Sequence, residues 1–248
     1  MSNSTKFDII KQQAKLLLNL PIIETDYSPM IVSHPFTSSG YISMQSNGDF
    51  EILDITKSEE AFSKWKDIVS KMIDESQSVE ELFFLVNKTY SLFFLDLISA
   101  ELSNEDLSRL LGSVWTSSEF LNMDTNVPKQ KILKLFKRAD RSSIMSKDEY
   151  DEYLSLDNQL VVYRGVTKLN EKKIKVFSWT LSYGKAKWFS ERFGEKGKVY
   201  SAVIDKNNIF AYFNRRNEDE VVVDYSQLKD IEIVSSPRKL KKSELGDE

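Results

Sequence analysis

Cysteine is absent from this chain and histidine occurs once, and each shortage removes a class of functional site. Without cysteine the protein forms no disulfide, has no thiol nucleophile and holds no iron–sulfur cluster, and zinc sites built from Cys and His have almost no ligands. A reducing cytosol is compatible with this composition. The single His34 stands before a proline, so we interpret it as a structural turn residue rather than a catalytic base. We therefore expect no metal site.

Two other features are missing, a glycine-rich turn after a strand and a long apolar run. None of the eight glycines stands in such a turn, so a Rossmann or P-loop nucleotide site lacks its anchor. The most apolar stretch, residues 82–98, is interrupted by Asn87, Lys88 and Asp96, whereas a membrane span needs about 20 mostly uninterrupted apolar residues. This stretch predicts a buried helix. Residues 1–8 lack the apolar core of a signal peptide, and we expect a cytoplasmic protein.

The sequence does contain enough apolar residues to build a folded core. The chain has 248 residues, 41% of them hydrophobic, which suffices for one large domain or two small ones. The net charge of -4 gives no general attraction to polyanions, although residues 131–141 and 238–242 are locally basic. Alternating charges without periodic apolar residues predict a flexible charged tail over residues 237–248.

Periodicity divides the remaining chain into a mostly helical N-terminal region, residues 1–155, and a strand-rich core, residues 156–236. Within the helical region, prolines and the Asn47-Gly48 pair predict a small β-meander over residues 21–55, with a hairpin near 41–55. We expect an α+β fold in which the helical region packs on a C-terminal antiparallel sheet.

Helix starts in the N-terminal region are marked by residues that cap or open a first turn. Apolar residues at helical spacing predict the first helix over residues 7–18. Serines that precede acidic residues indicate further helix starts, and Pro128 opens a helix over residues 129–139. The predicted capping serines are Ser58, Ser78, Ser103 and Ser146.

Beyond Asp157 the pattern changes from helical to strand-like, with a single helix over residues 183–193. The predicted strands are residues 160–166, 175–181, 198–205, 220–224 and 230–234. The C-terminal third is therefore expected to be a mostly antiparallel sheet with few helices.

Two pieces of this core carry polar side chains with a shared chemical use. Arg164 is the last side chain before Gly165 in an apolar strand, and its planar guanidinium can pair bidentately with phosphate oxygens. Ser178 and Thr180 share one face of their strand, and their hydroxyls can hydrogen-bond a ribose or hold a carboxylate. Taken singly, the arginine also fits a surface salt bridge, and the hydroxyls also fit a solvated face.

A third piece is the acidic pair Glu218 and Glu220, directly before an apolar strand. If the chain is extended there, both carboxylates point to one side and Asp219 points to the other. Like charges on one face repel, so this arrangement favours a functional site. The alternative is a charged turn that keeps a sheet edge soluble.

The three pieces, taken in this order, resemble the Arg-Ser-Glu class of ADP-ribosyltransferases, which includes many bacterial toxins. The resemblance covers residues 156–234 and includes Ala186 and Phe189 in the helix after the serine motif. The stretch ahead of it, with Glu119, looks like the N-terminal part of phage- and bacterium-encoded members. The resemblance implies an ADP-ribosyltransferase-like core that uses NAD as a co-substrate.

The resemblance also implies a role for each residue in cleaving NAD. Glu220 would stabilise the positive charge that develops on the ribose as nicotinamide leaves, and would hold the ribose 2-hydroxyl. Ser178 would bind that ribose and orient Glu220. Arg164 would hold the diphosphate or the neighbouring ribose, and Gly165 would offer backbone bonds to the nicotinamide amide.

The resemblance also implies roles for Glu218, which would act on the acceptor, and for Thr180, the last residue of the serine motif. Glu218 would accept a proton from the incoming nucleophile or align it. Thr180 replaces the last serine of the family's Ser-Thr-Ser and would join the NAD-binding residues. Related enzymes with a paired Glu-x-Glu transfer ADP-ribose to an arginine side chain. RNA is the other possible acceptor, because Arg215, Arg216 and the basic run at 131–141 could bind its phosphates.

The sequence thus predicts an NAD-dependent mono-ADP-ribosyltransferase that modifies a protein side chain or RNA. It would be a toxin or an effector in phage–host conflict, and a self-toxic enzyme would need a neutralising antitoxin. Two alternatives remain: a catalytically inactive module that binds NAD or a protein partner, and a phage structural protein in which the three motifs are coincidental.

Overall fold

The structure is a computed structural model that describes residues 4–46, 49–118, 126–172, 174–194 and 196–240. The chain separates into two compact units, Met1–Leu110 with Thr125–Val127, and Leu111–Asp124 with Pro128–Glu248. This division differs from the boundary near residue 155 expected from the sequence, because helices before residue 155 contact the C-terminal sheet. Asn47-Gly48, Glu119 and the tail residues 241–248 lie outside the described residues.

The first unit combines helices with two small antiparallel sheets, of which one has the order β1-β2-β3 and the other is the pair β4-β5. The first helix and the hairpin are confirmed, but the meander predicted over residues 21–55 is divided between two sheets. The elements are α1 (Phe7–Leu18), β1 (Ile23–Thr25), β2 (Ser28–His34), β3 (Thr37–Ser39), β4 (Tyr41–Ser46), β5 (Asp49–Asp54), α2 (Glu59–Glu75), α3 (Val79–Leu85), α4 (Ser91–Ile98) and α5 (Asn104–Ser117), whose residues from Leu111 onward belong to the second unit.

The apolar stretch at residues 82–98 forms the end of α3 and all of α4, not the single helix expected. Between them, the Asn87 side-chain amide donates hydrogen bonds to the backbone carbonyls of His34 and Thr37, at 3.3 and 3.1 Å. Its own Oδ1 accepts from the backbone N–H of Thr89 at 3.3 Å. Local and tertiary bonds at Asn87 thus compete with helical bonds, and the helix is interrupted.

His34 is fully buried at the end of β2, where the sequence suggested a turn. Its Nδ1 accepts a hydrogen bond from the backbone N–H of Phe36 at 3.1 Å, and its Nε2 lies 3.2 Å from the carbonyl oxygen of Leu20. Burial lowers the pKa of His34, with opposing contributions from backbone hydrogen bonds. These contacts give the residue a structural role.

The serines that mark helix starts behave as predicted. Ser58 and Ser78 accept hydrogen bonds from the third backbone N–H of α2 and α3. Ser103 accepts from the Asp106 N–H at 3.0 Å before α5. Ser146 forms a complete capping box with Glu149. Local side-chain chemistry therefore fixes these four helix starts.

In the described part of the second unit, the end of α5 and three further helices precede a six-stranded sheet of order β11-β8-β6-β7-β10-β9, in which every pair is antiparallel. The elements are α6 (Lys129–Arg138), α7 (Arg141–Ile144), α8 (Lys147–Ser155), β6 (Gln159–Val166), β7 (Ser178–Thr180), α9 (Tyr183–Glu191), β8 (Lys198–Asp205), β9 (Ile209–Phe213), β10 (Glu220–Val223) and β11 (Lys229–Val234). The predicted α+β class is confirmed at this level. None of the helices described is both long enough and apolar enough to cross a bilayer.

The sheet is joined in its middle by a single pair of residues. β6 pairs with β8 along its whole length, but it pairs with β7 at Tyr163 and Thr180 alone among the described residues. The sheet therefore consists of two three-stranded halves, β11-β8-β6 and β7-β10-β9. We call the contact between Tyr163 and Thr180 the junction. Arg164 directly follows it.

Two strand predictions are corrected. The strand expected over residues 175–181 is only Ser178–Thr180, although a hydrogen bond from the Val223 N–H to the Phe177 carbonyl continues the pairing at 2.8 Å. The strand β9 at Ile209–Phe213 was missed. Four of its five residues are buried, so its sequence is a continuous apolar run without the alternation that identifies a half-exposed strand.

Candidate active site

The residues of the three sequence motifs come together around the junction. Arg164 lies in β6, Ser178 begins β7 and Glu220 begins β10. In the β7-β10 register, Glu220 lies opposite Thr180 and Val222 lies opposite Ser178. Residues directly opposite each other share a sheet face, so the carboxylate and both hydroxyls project to the same side.

Glu220 is a buried carboxylate that receives hydrogen bonds from two described side chains. Its side chain is 8% exposed, and its Oε1 accepts from the indole Nε1 of Trp115 at 3.1 Å. The Ser178 hydroxyl also hydrogen-bonds this carboxylate. Burial raises the pKa of Glu220, while the bonds from Ser178 and Trp115 and the charge of Arg216 oppose the increase. The group is thus held in one place and is costly to ionise.

Arg164 connects the two halves of the sheet. Its NH1 donates a hydrogen bond to the backbone carbonyl oxygen of Ser178 at 2.6 Å. Its Nε is buried and has no hydrogen-bond partner among the described residues. Burial lowers the pKa of Arg164 to about 10; the charge of Glu220 opposes this effect and that of Arg192 adds to it. The guanidinium remains a cation at neutral pH.

Glu218 and Glu220 converge on one guanidinium. Arg216 NH2 lies 3.1 Å from Glu218 Oε2 and 3.8 Å from Glu220 Oε2. The negative charge of Glu218 contributes to the raised pKa of Glu220. The expected proximity of the two carboxylates is therefore present, with an arginine of the same loop between them.

The backbone before Glu220 is not extended, so the alternation predicted for the Glu-x-Glu piece is wrong in detail. Asn217 and Asp219 have positive φ values of 55° and 45°, a conformation in which non-glycine residues are uncommon. Asp219 Oδ2 pairs with Lys185 Nζ at 2.8 Å, and Oδ1 accepts from the Tyr212 hydroxyl at 3.3 Å. These contacts anchor the turn that carries both glutamates.

Thr180 holds this turn from the neighbouring strand. It is 6% exposed, its hydroxyl donates to the Glu218 carbonyl oxygen at 2.7 Å, and it accepts from the Ser182 N–H at 3.1 Å. The structure thus gives Thr180 a positioning contact with the acidic turn. Its predicted place among the NAD-binding residues stays a prediction.

Gly165 has a packing reason for lacking a side chain. A Cβ at this position would lie 1.9 Å from the carbonyl oxygen of Ala186 and 2.7 Å from the backbone nitrogen of Ser190. Helix α9 therefore lies directly against β6 at Gly165. The predicted bonds from its backbone to a nicotinamide amide stay a prediction.

A small open recess gives access to the carboxylates. It has a volume of about 10 Å³, roughly the space that one water molecule occupies. Small-molecule sites commonly measure about 300–1,000 Å³, so in the present conformation this recess does not admit a dinucleotide. Its lining residues are Thr116, Phe213, Arg215, Arg216, Glu218 and Glu220.

Two structural partners of the site were not assigned from the sequence. Trp115 lies in the last part of α5, and nothing in its local sequence distinguishes it from an ordinary core residue. Glu149 is 5% exposed and accepts from Arg215 Nε and NH2 at 3.3 and 3.2 Å and from the Asn214 N–H at 3.1 Å. It thereby anchors the loop before Glu218. Only its capping motif was visible in the sequence.

Comparison with known proteins gives no match to any family model, curated protein or solved structure. The proposed function therefore rests on the arrangement of the side chains. No group of three or more His, Asp or Glu residues within the described ranges is arranged to hold a metal ion.

Proposed function

We propose that this protein is an NAD-dependent mono-ADP-ribosyltransferase that cleaves the nicotinamide–ribose bond and transfers ADP-ribose to a macromolecular acceptor. The observation that supports this most is the convergence of Arg164, Ser178 and Glu220 from three strands. Arg164 bonds the Ser178 carbonyl oxygen, and the Ser178 hydroxyl bonds the Glu220 carboxylate. A phosphate-binding cation, a hydroxyl and a fixed carboxylate are the groups that this reaction requires.

Glu220 supplies stabilisation of the transition state. When the bond from C1 of the ribose to nicotinamide breaks, nicotinamide leaves with the bonding electrons and positive charge develops on the ribose. A carboxylate fixed in a poorly solvated place stabilises that charge more strongly than water does. Because Glu220 acts when ionised and burial raises its pKa, activity should fall as the pH decreases through that pKa.

Arg164 supplies the site for the negatively charged part of NAD. One guanidinium nitrogen is held by the Ser178 carbonyl, which fixes the plane of the group. Its Nε has no partner among the described residues, so binding of a diphosphate that shifts this guanidinium could satisfy a buried donor. The arrangement favours a phosphate-bearing ligand over a neutral one.

Glu218 supplies a second carboxylate for the acceptor. The acceptor nucleophile bonds to C1 of the ribose and loses a proton, which Glu218 can take. This carboxylate already contacts the guanidinium of Arg216 at 3.1 Å, which favours an arginine side chain as the acceptor. RNA is the competing acceptor, because α6 carries five cationic and no acidic residues: Lys129, Lys131, Lys134, Lys137 and Arg138.

The proposal is tested by incubating the protein with NAD labelled in its adenine moiety and with cell lysate. Glu220→Gln keeps the shape of the side chain and serves as the inactive control. We expect label transfer by the unchanged protein and about 100-fold to 1,000-fold less by the variant. Loss of label after protease digestion identifies a protein acceptor, and loss after nuclease digestion identifies RNA. No NAD consumption by either protein would refute the proposal.

A toxin or a phage–host conflict effector is the biological role we propose for this activity, with an antitoxin as its partner where it acts on its own cell. Induced expression should arrest growth for the unchanged chain and not for Glu220→Gln. Arrest by both proteins would argue against a role of the enzymatic activity.

An inactive binding module is the second candidate. It is favoured by the small volume of the recess and by Arg216, which pairs with both carboxylates. Calorimetric titration with NAD distinguishes the candidates, because a binding module would bind NAD without releasing nicotinamide.

A further inference from the structure

Trp115 contacts the Glu220 carboxylate, although the two residues are 105 positions apart in the sequence. It lies in α5, with its side chain 3% exposed, and its Nε1 donates to Glu220 Oε1 at 3.1 Å. An indole has this one donor and no acceptor, so the contact uses its whole hydrogen-bonding capacity.

Two aromatic rings fix the orientation of this indole. The Trp115 ring contacts Phe136 edge-on, with ring centroids 4.9 Å apart and an interplanar angle of 82°. It contacts Phe177 in the same way, at 6.0 Å and 86°. Phe177 directly precedes Ser178, the other hydrogen-bond donor to Glu220. The rings therefore leave the N–H pointing at one oxygen of the carboxylate.

We propose that Trp115 is a positioning residue, which holds Oε1 of Glu220 and so directs Oε2 toward the reacting ribose. Oε2 lies 3.8 Å from Arg216 NH2, and Arg216 and Glu220 both line the recess. This inference rests on the proposed function for its catalytic consequence. The contact itself can be tested without NAD.

The other groups around Glu220 determine how its titration should respond. Arg164 and Arg216 favour the ionised form through their positive charges, the negative Glu218 disfavours it, and the Ser178 hydroxyl favours it through a hydrogen bond. The Trp115 N–H also favours the carboxylate form. Removing this donor should therefore raise the pKa of Glu220 while the other groups remain in place.

The direct test is the pH titration of the indole N–H signals by nuclear magnetic resonance. The chain contains four tryptophans, so tryptophan labelled with nitrogen-15 gives four indole signals. The signal that disappears in Trp115→Phe is the signal of Trp115. Trp188→Phe is the control, because Trp188 is 64% exposed. We expect the Trp115 signal to shift with one protonation step, and the same signal to remain constant with pH in Glu220→Gln.

The kinetic test separates positioning from packing. Trp115→Phe should lower kcat about tenfold or more, leave the KM for NAD nearly unchanged and move the acidic limb of the pH profile upward. Phe136→Leu disturbs the same aromatic contacts but keeps the indole N–H, so its acidic limb should stay in place.

These outcomes distinguish the inference from the proposed function. An indole signal that does not titrate, or that titrates equally in Glu220→Gln, overturns the contact even if the enzyme is active. A titrating signal without any NAD turnover supports the contact and contradicts the proposed function. If Trp115→Phe does not fold, comparing the unchanged chain with Glu220→Gln still decides whether an indole reports the ionisation of Glu220.

Discussion

Arg164 donates a hydrogen bond from NH1 to the backbone carbonyl oxygen of Ser178, at 2.6 Å. This bond lies next to the junction, where a single residue pair joins the two halves of the sheet. The same guanidinium therefore connects β6 with β7 and, under the proposed function, would also bind the diphosphate of NAD. A lysine ammonium lacks the planar arrangement of donors that serves both purposes.

Arg164→Lys should weaken the binding of NAD about tenfold to hundredfold, the range for losing a charged hydrogen bond. Isothermal titration calorimetry measures this change directly. Arg141→Lys is the matched control, because Arg141 also bonds carbonyl oxygens, those of Ile209 and Asn207 at 2.9 and 2.6 Å. Equal losses of NAD affinity in the two variants would contradict a specific role for Arg164.

Glu220→Gln should increase the free energy of unfolding at neutral pH, although it should also abolish the proposed activity. Burial raises the pKa of Glu220 in the folded state, so ionising this group destabilises the fold as the pH rises through that value. Below about pH 4, the usual range for glutamate, both states carry the proton and the difference between the proteins should disappear. Urea unfolding at several pH values measures the effect. A variant that is less stable at pH 7 would show that the ionised carboxylate is well compensated.

Arg215 and Arg216 are adjacent but should have different effects when changed to glutamine. Arg216 lowers the pKa of Glu220, so Arg216→Gln should move the acidic limb of the pH–activity profile to higher pH. Its effect on stability should be under about 1 kcal/mol, because its ion pair with Glu218 is partly exposed. Arg215 pairs with the buried Glu149, so Arg215→Gln should reduce the free energy of unfolding by about 1–3 kcal/mol.

The acidic limb should not move in Arg215→Gln. If both variants move it equally, the effect comes from general positive charge near the recess and not from the contact of Arg216. The measurements are nicotinamide release over a pH range and urea unfolding of each variant.

Gly165→Ala should destabilise the protein by about 1–3 kcal/mol, the usual cost of overpacking. The added Cβ would lie 1.9 Å from the Ala186 carbonyl oxygen, so α9 would have to move away from β6. Gly184→Ala in the same helix is the control, because its nearest neighbour would be the Ser182 hydroxyl oxygen at 3.7 Å. That change should be neutral or stabilise the helix by up to about 1 kcal/mol. Thermal unfolding of both variants checks the difference.

Elements governed by local chemistry were predicted closely from the sequence. The helix over residues 7–18 and the strand over residues 198–205 have the bounds expected, and each capping serine begins its helix. The prediction of a single helix over residues 82–98 was wrong, because the Asn87 side chain hydrogen-bonds the backbone carbonyl oxygen of His34. A contact over that separation leaves no periodic pattern in the sequence.

The sequence by itself determined which chemical groups are present and their order along the chain: Arg164, then Ser178, then the two glutamates. It also determined the helix starts, because a capping serine acts within one turn. Tertiary structure alone decided that Trp115 reaches Glu220 across 105 residues and that Arg216 lies between the carboxylates. The reason is physical: hydrogen bonds and burial depend on distance in space. Folding brings the Trp115 indole within 3.1 Å of the Glu220 carboxylate, and it bends the acidic turn so that Arg216 lies near both glutamates.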